Sequence, residues 1–266
     1  MSANIRTDVK RLLARTASAK AASGATLLIY HRVGGGSRDE LDVSVAAFNA
    51  QLDVLAGRPV VPIDDAMDAV ERGDRTGRVV ITFDDGFRDL YENAWPLLRA
   101  RGLPFTVYVA TRFVDGVMRW EGSTAKDAGA PGLTWDQLGE MVESGLCTVG
   151  NHTHSHVPPE WLDTEELDRC TAELQARLDV TPRHFAYPWG VPVKSMEPAL
   201  AQRFRSAATG RLGRHLPGND PMRVPRVPVR RSDPIEFFEA KLGGRLAPER
   251  VYWGMVATAK RAGLRA

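Results

Sequence analysis

Short apolar runs alternate with amphipathic stretches along most of this chain. Leu27–Tyr30 and Val79–Phe83 are continuous apolar or β-branched runs, the pattern of strands buried on both faces of a parallel sheet. Between them, Ser44–Ala56 sets Phe48, Leu52 and Leu55 on one helical face. Val60–Ile63 predicts a further short strand, with a helix beginning near Asp64. Phe87 to Arg101 has helical spacing, Phe105–Ala110 is strand-like, and Leu146–Val149 is another short apolar run. Thr134-Trp135-Asp136-Gln137 carries the capping-box pattern for a helix stopping at Gly145. From Thr164 to Leu178, the residues Leu167, Thr171, Leu174 and Leu178 are spaced to face a core. Repeated strand–helix units predict parallel strands joined by right-handed crossovers. Two stretches lack periodicity: Asp115–Leu133, with four glycines and one proline, and Gly210–Pro234, with five prolines. Both predict long loops of functional or mobile character.

At 266 residues and 43% hydrophobic, the chain is large enough for a barrel folding as one domain. A net charge of +2 gives no case for a nucleic-acid partner. Cys147 and Cys170 make no disulfide framework. Cys147 lies on the strand feeding a histidine-rich loop and reads as a small buried residue before it reads as a ligand. There is no run of eighteen apolar residues and no apolar N-terminal leader, so the expected location is the cytoplasm. Both ends are basic. Arg6, Lys10, Arg11, Arg15 and Lys20 accompany Ile5, Val9, Leu12 and Leu13, while Val251, Tyr252, Trp253, Met255 and Val256 precede Lys260, Arg261 and Arg265. This divides the chain into a basic segment (1–25), a barrel domain (26–234) and a C-terminal helical segment (235–266). The two ends suit terminal helices packed on the barrel, and secondarily peripheral contact with an anionic membrane surface.

The chemistry concentrates in two places. Residues 81–86 read Ile-Thr-Phe-Asp-Asp-Gly, and about 65 residues later comes Gly150-Asn151-His152-Thr153-His154-Ser155-His156. Successive strand side chains point to opposite faces, so Asp84 and Asp85 can serve one site only where the strand ends and the backbone turns. Gly86 permits that turn. Alone, Asp-Asp-Gly reads as a turn with a helix cap. Three of the six histidines within five residues change the balance. One carboxylate with two imidazoles holds a zinc-like ion and leaves positions open for water and substrate, and the other carboxylate is free to take a proton. His154 stands as a third ligand, a supporting group or an exposed residue.

Thr82-Phe83-Asp84-Asp85-Gly86, His152-Thr153-His154-Ser155-His156 and Phe185-Ala186-Tyr187-Pro188-Trp189-Gly190 resemble the first three motifs of the polysaccharide deacetylases, carbohydrate esterase family 4, the NodB-homology domain. The resemblance runs from about Thr26 to Val229. It implies a distorted (β/α) barrel of about seven strands, a divalent metal that is most often Zn2+, and hydrolysis of an N-acetyl group from an amino sugar or glycoconjugate. It further implies Asp84 as catalytic base, Asp85, His152 and His156 as metal ligands, and the Tyr187 backbone N–H as part of an oxyanion hole. Two departures stand out. Ala186 occupies the place of the arginine that steadies the base, and no Leu-x-x-His motif lies near the C-terminus to carry the acid. Leu28-Ile29-Tyr30-His31-Arg32-Val33 is similar to the opening strand of a branch in which that motif is permuted to the N-terminus, making His31 the expected general acid and His215 its rival. Arg226 is the candidate for the missing arginine, against a reading as an ordinary surface residue. Trp120, Trp189 and Tyr187 are candidate walls for a sugar ring, with Trp120 equally readable as core. Two alternatives remain: a catalytically lost carbohydrate-binding member, and a non-haem iron enzyme, which also uses two histidines and a carboxylate.

Overall fold

The apolar runs become the staves of a closed barrel. The computed structural model describes residues 3–15, 23–120, 123 and 129–261. In chain order the strands are β1 (Ala25–Tyr30), β2 (Arg32–Val33), β3 (Asp42–Val43), β4 (Arg78–Phe83), β5 (Phe105–Val109), β6 (Cys147–Asn151), β7 (His184–Ala186), β8 (Ser206–Leu212) and β9 (Val224–Pro228). The barrel order is β1-β4-β5-β6-β7-β8-β9, closed by β9 on β1, while β2 and β3 form a separate small ladder. All barrel neighbours are parallel, as the crossover helices require. Consequently every strand delivers its C-terminal end to the same rim.

Alternation along the strands divides the core in two. Leu27, Val80, Tyr108, Ala186, Ala208 and Val224, from six strands, meet inside the ring. Helix Ile63–Glu71 extends that cluster through Ile63, Ala66, Met67 and Val70. Leu28, Tyr30, Ile81 and Phe83 point outward, against Phe48, Leu52 and Leu55 of helix Val45–Leu55. At about 25 cal/mol per Å² of apolar area, these two layers are the main stabilising contribution. The predicted capping box is present: Thr134 Oγ1 accepts from the Gln137 N–H at 3.1 Å, and Gln137 Oε1 accepts from the Thr134 N–H at 3.0 Å.

Several local expectations change. Val60–Ile63 is not a strand; Val60 makes one isolated bridge to Val79, and the helix already starts at Ile63, because Pro62 lacks the N–H a ladder needs. The predicted 87–101 helix splits into a π-helical turn, Leu90–Ala94, and an α-helix, Trp95–Ala100. Pro96 removes one i→i−4 bond and crowds the carbonyl four residues back, which favours the wider turn before it. The expected loop at 210–234 contains the end of β8 and all of β9. Cys147 and Cys170 are both buried and unpaired, and Cys147 packs in the outer core.

Helix Ala3–Arg15 packs Val9, Leu13 and Ala14 against Phe237, Ala240 and Tyr252 of the C-terminal helices. Lys10, read as part of a basic face, is instead fully buried: its Nζ donates to Asp233 Oδ1 at 2.7 Å and to Ser232 Oγ at 2.6 Å. Lys241 Nζ takes the other Asp233 oxygen at 2.6 Å and pairs with Glu249 at 2.9 Å. Lys20 and Arg265 lie outside the described residues, as do the side chains of Val256, Lys260 and Arg261. No helix among the described residues is long and apolar enough to cross a membrane.

Burial pushes the Asp233 carboxyl up, but Lys241 and Lys10 outweigh it and hold it at about 2. A depressed carboxylate contributes stability above its unfolded value of about 3.9, and that contribution is lost as pH falls through the folded value. Asp233→Asn is therefore expected to cost about 3–5 kcal/mol at pH 7, leaving two lysines without their shared counter-charge. Denaturant unfolding should show this gap narrowing below about pH 3; a gap unchanged with pH would contradict it.

Candidate active site

Strand ends at the barrel rim carry the predicted residues to one place. His31 follows β1, Asp84 and Asp85 follow β4, His152 follows β6, Trp189 follows β7, and Arg226 points inward from β9. All six line one cavity of about 340 Å3, together with His156.

The adjacent acids share the site because the backbone reverses between them. The Asp84 N–H is still in the ladder, donating to Tyr30 O at 2.9 Å. Asp85 then adopts φ +75°, a left-handed conformation a non-glycine residue reaches only when its surroundings impose it. Gly86 follows at φ +94°, and its carbonyl accepts from Leu133 N–H at 2.9 Å. The histidine loop is set in the same way. Thr153 and His156 have φ +67° and +52°. Asn151 Oδ1 accepts from the Thr153 N–H, and Thr153 Oγ1 from the His156 N–H, both at 2.9 Å.

Asp85 Oδ1 lies 3.3 Å from His152 Nε2 and 3.4 Å from His156 Nε2. The three ligand atoms fall within 4.8 Å of one another. Ligands about 2.0–2.2 Å from a tetrahedral ion would stand roughly 3.4 Å apart, so the donor set fits a zinc-like ion. His152 Nδ1–H donates to the Ala186 carbonyl at 2.8 Å, which fixes the tautomer and turns the Nε2 lone pair toward Asp85. The His156 ring stacks on Trp120, centroids 4.4 Å apart at 30°. Trp120 borders the cavity and also packs on Phe87 and Phe113. His154 turns away: its Nδ1 sits 3.1 Å from Thr111 Oγ1 and 3.2 Å from Glu173 Oε2.

Arg226 is no surface residue. It is 1% exposed, and its Nη1 and Nη2 donate to the two Asp84 oxygens at 2.6 and 2.7 Å. Nε donates to Thr209 O at 3.1 Å and Nη1 also to Thr82 Oγ1 at 3.3 Å, while the guanidinium lies over the Tyr108 ring at 5.6 Å. Burial pushes the Asp84 carboxyl up, but the Arg226 charge and its hydrogen bonds outweigh that and leave it below the usual carboxylate range. Asp84 is therefore an ionised carboxylate, oriented by a bidentate clamp.

Two expectations need correction. The Tyr187 N–H donates to Ala208 O at 2.9 Å, so the barrel ladder has claimed the proposed oxyanion donor. Its side chain is buried in a cluster with Phe185, Leu200 and Met222 and borders no part of the cavity. Trp189, after Pro188, does border it, with φ +62° and an exposed ring. His215 exchanges both backbone hydrogen bonds with Ala25, at the start of β1. It lies at the barrel's other end, about five residues or ~17 Å along the strand from the rim that holds His31. The His31 Nδ1 is buried without a hydrogen-bond partner. The sequence reading missed Arg230 and Trp253, which complete the cavity wall from the C-terminal part of the chain. No motif marked them; only the aromatic content of 251–256 hinted at Trp253.

The family model for polysaccharide deacetylases matches residues 71–203, half of the chain. IcaB from Ammonifex degensii is 31% identical, with a TM-score of 0.71 covering 84% of this chain and 98% of that one. The chain belongs to the polysaccharide deacetylase family. PplD of Streptococcus pyogenes shares the fold, at 20% identity and TM-score 0.68, covering 83% of this chain and 98% of that one. BA0330 of Bacillus anthracis does so too, at 22% identity and TM-score 0.69, covering 82% and 68%. YxkH of Bacillus subtilis is 23% identical over 157 residues, and this chain spans half the length of that curated relative. His31 and Arg226, the candidates for the two missing motif residues, both lie outside the matched 71–203 window.

Dialysis against zinc should leave about one equivalent on the wild type and on Asp84→Asn, but little on Asp85→Asn, His152→Ala or His156→Ala. Full occupancy in either histidine variant, read by elemental analysis of folded protein, would refute this ligand set.

Proposed function

We propose that the chain is a metal-dependent N-deacetylase, hydrolysing the N-acetyl group of an amino sugar in a polysaccharide or glycoconjugate precursor. The observation that carries this reading is the Asp84 carboxylate, clamped by Arg226 beside the Asp85-His152-His156 donor set in one cavity. When bound, a divalent ion such as zinc polarises the acyl carbonyl and acidifies a water molecule.

The chain's own residues do the rest. Asp84 accepts the proton of the attacking water, and Arg226 keeps its two oxygens from rotating away. His31 faces the same cavity from β1 and delivers a proton to the departing amine nitrogen; without that proton the nitrogen is a poor leaving group. With the Tyr187 amide committed and Pro188 lacking one, the Trp189 amide is the donor the β7 strand end offers to the developing oxyanion. Trp120, Trp189 and Trp253 line the cavity, and aromatic surface of this kind suits the C–H surface of a sugar.

Acetate release from a panel of N-acetylated oligosaccharides tests the activity. His31→Ala should retain its metal and lose roughly 10²–10⁴-fold in kcat, together with the basic limb of the pH–rate profile, since the acid must be protonated to act. Normal turnover in that variant would remove His31 from the mechanism, and absence of acetate release from every substrate would overturn the activity itself.

A further inference from the structure

A second cavity, larger than the catalytic one, lies back to back with it across the barrel wall. Its volume is about 620 Å3, and five arginines line it: Arg211, Arg214, Arg223, Arg245 and Arg250. The two cavities share three stretches of chain. On β8, Gly210 faces the catalytic cavity and Arg211 the second; on β9, Arg226 and Pro225 divide likewise. Successive strand residues point to opposite faces, so the second cavity is on the outer surface of the β8–β9 wall. In helix Ala247–Arg261, Arg250 lines the second cavity and Trp253 the first.

The charge in this cavity is not neutralised from within. Arg223 is paired, with Glu197 at 2.5 Å and Asp220 at 3.9 Å. Among the described residues, Arg211, Arg214, Arg245 and Arg250 form no ion pair with any carboxylate, and Asp220 is the sole acid in the lining. Arg214 is the most constrained. Its guanidinium lies flat on Gly244, where an added Cβ would stand 2.7 Å from Nη2 and 2.8 Å from Nη1. Gly244 has φ +76°, a backbone conformation that favours glycine, and the absence of a side chain there lets the Arg214 guanidinium approach the backbone. Arg214 Nη1 is shielded from solvent and has no hydrogen-bond partner. Arginine does not deprotonate in proteins, so a half-buried, unpartnered guanidinium calls for an external anion.

A guanidinium plane matches two oxygens of a carboxylate or phosphate at once, and a phosphate offers more than one such edge, so it can engage several arginines together. Four unpaired guanidiniums converging on one concavity favour a doubly charged or diester group. We propose that this cavity is a phosphate-binding site, taking the phosphoryl group of a free anion or of a lipid headgroup through bidentate arginine contacts. The site is independent of the deacetylase reading, because none of its arginines touches the catalytic residues.

The test uses the full, zinc-loaded chain at constant ionic strength. Inorganic phosphate is titrated calorimetrically, and sedimentation with phosphatidylcholine vesicles is compared with and without phosphatidylglycerol. Arg214→Gln, and the exposed pair Arg211→Gln with Arg250→Gln, should each weaken binding at least about tenfold, as loss of a charge-assisted contact implies. Acetate release should stay unchanged. Arginine-dependent binding of phosphate identifies a free anion as the source; arginine-dependent binding to phosphatidylglycerol vesicles alone identifies a headgroup. No binding in either arm overturns the proposal, as does binding that the folded Arg211/Arg250 variant retains in full.

Discussion

A guanidinium sealed inside a barrel cannot shed its charge, and in this molecule the Asp84 carboxylate answers it. The Arg226–Asp84 pair is the constraint around which the site is arranged. Its desolvation is expensive and is offset by four hydrogen bonds: two to Asp84, one to Thr209 O and one to Thr82 Oγ1. With Asp84 so fixed, it is Asp85, whose left-handed backbone turns it the other way, that meets His152 and His156. One bidentate contact and one left-handed residue thus aim two identical, adjacent side chains at different partners.

The same pair explains how the fold tolerates a changed motif. The residue expected to steady the base is the small Ala186, which packs inside the ring beside Tyr108 and Ala208. Its carbonyl instead orients His152. The guanidinium comes from two strands further round the barrel, β9, and arrives at the same carboxylate. A closed parallel barrel makes such substitution geometrically cheap, since every strand opens on one rim.

Much of this was legible in the sequence, for reasons that differ by residue. Asp84, Asp85, His152 and His156 announce themselves because their spacing at two strand ends has few purely structural uses. His31 was readable only through the resemblance of Leu28–Val33 to a permuted motif, since a lone histidine after an apolar strand also suits a core position; closure of the barrel brings it to the others. Arg226 was readable only as a candidate, because the prolines of β9 disguise that strand as a loop and hide which way its side chains point. Tyr187 was misread for a related cause: β7 is only three residues long, so no periodicity tells which amide leaves the ladder. Trp253 and the arginine cavity depend on where the C-terminal helices dock, through long-range contacts such as the buried Lys10–Asp233–Lys241 network that no local pattern reveals.

If Arg226 serves catalysis solely by holding Asp84, the two residues act as one unit, and their effects on rate cannot add. A double-mutant cycle on kcat for acetate release, with Arg226→Gln, Asp84→Asn and the double variant at full zinc occupancy, measures this directly. The account predicts that the double variant is no slower than Asp84→Asn alone. Losses that multiply, with Arg226→Gln costing as much in the Asp84→Asn background as in the wild type, would contradict it.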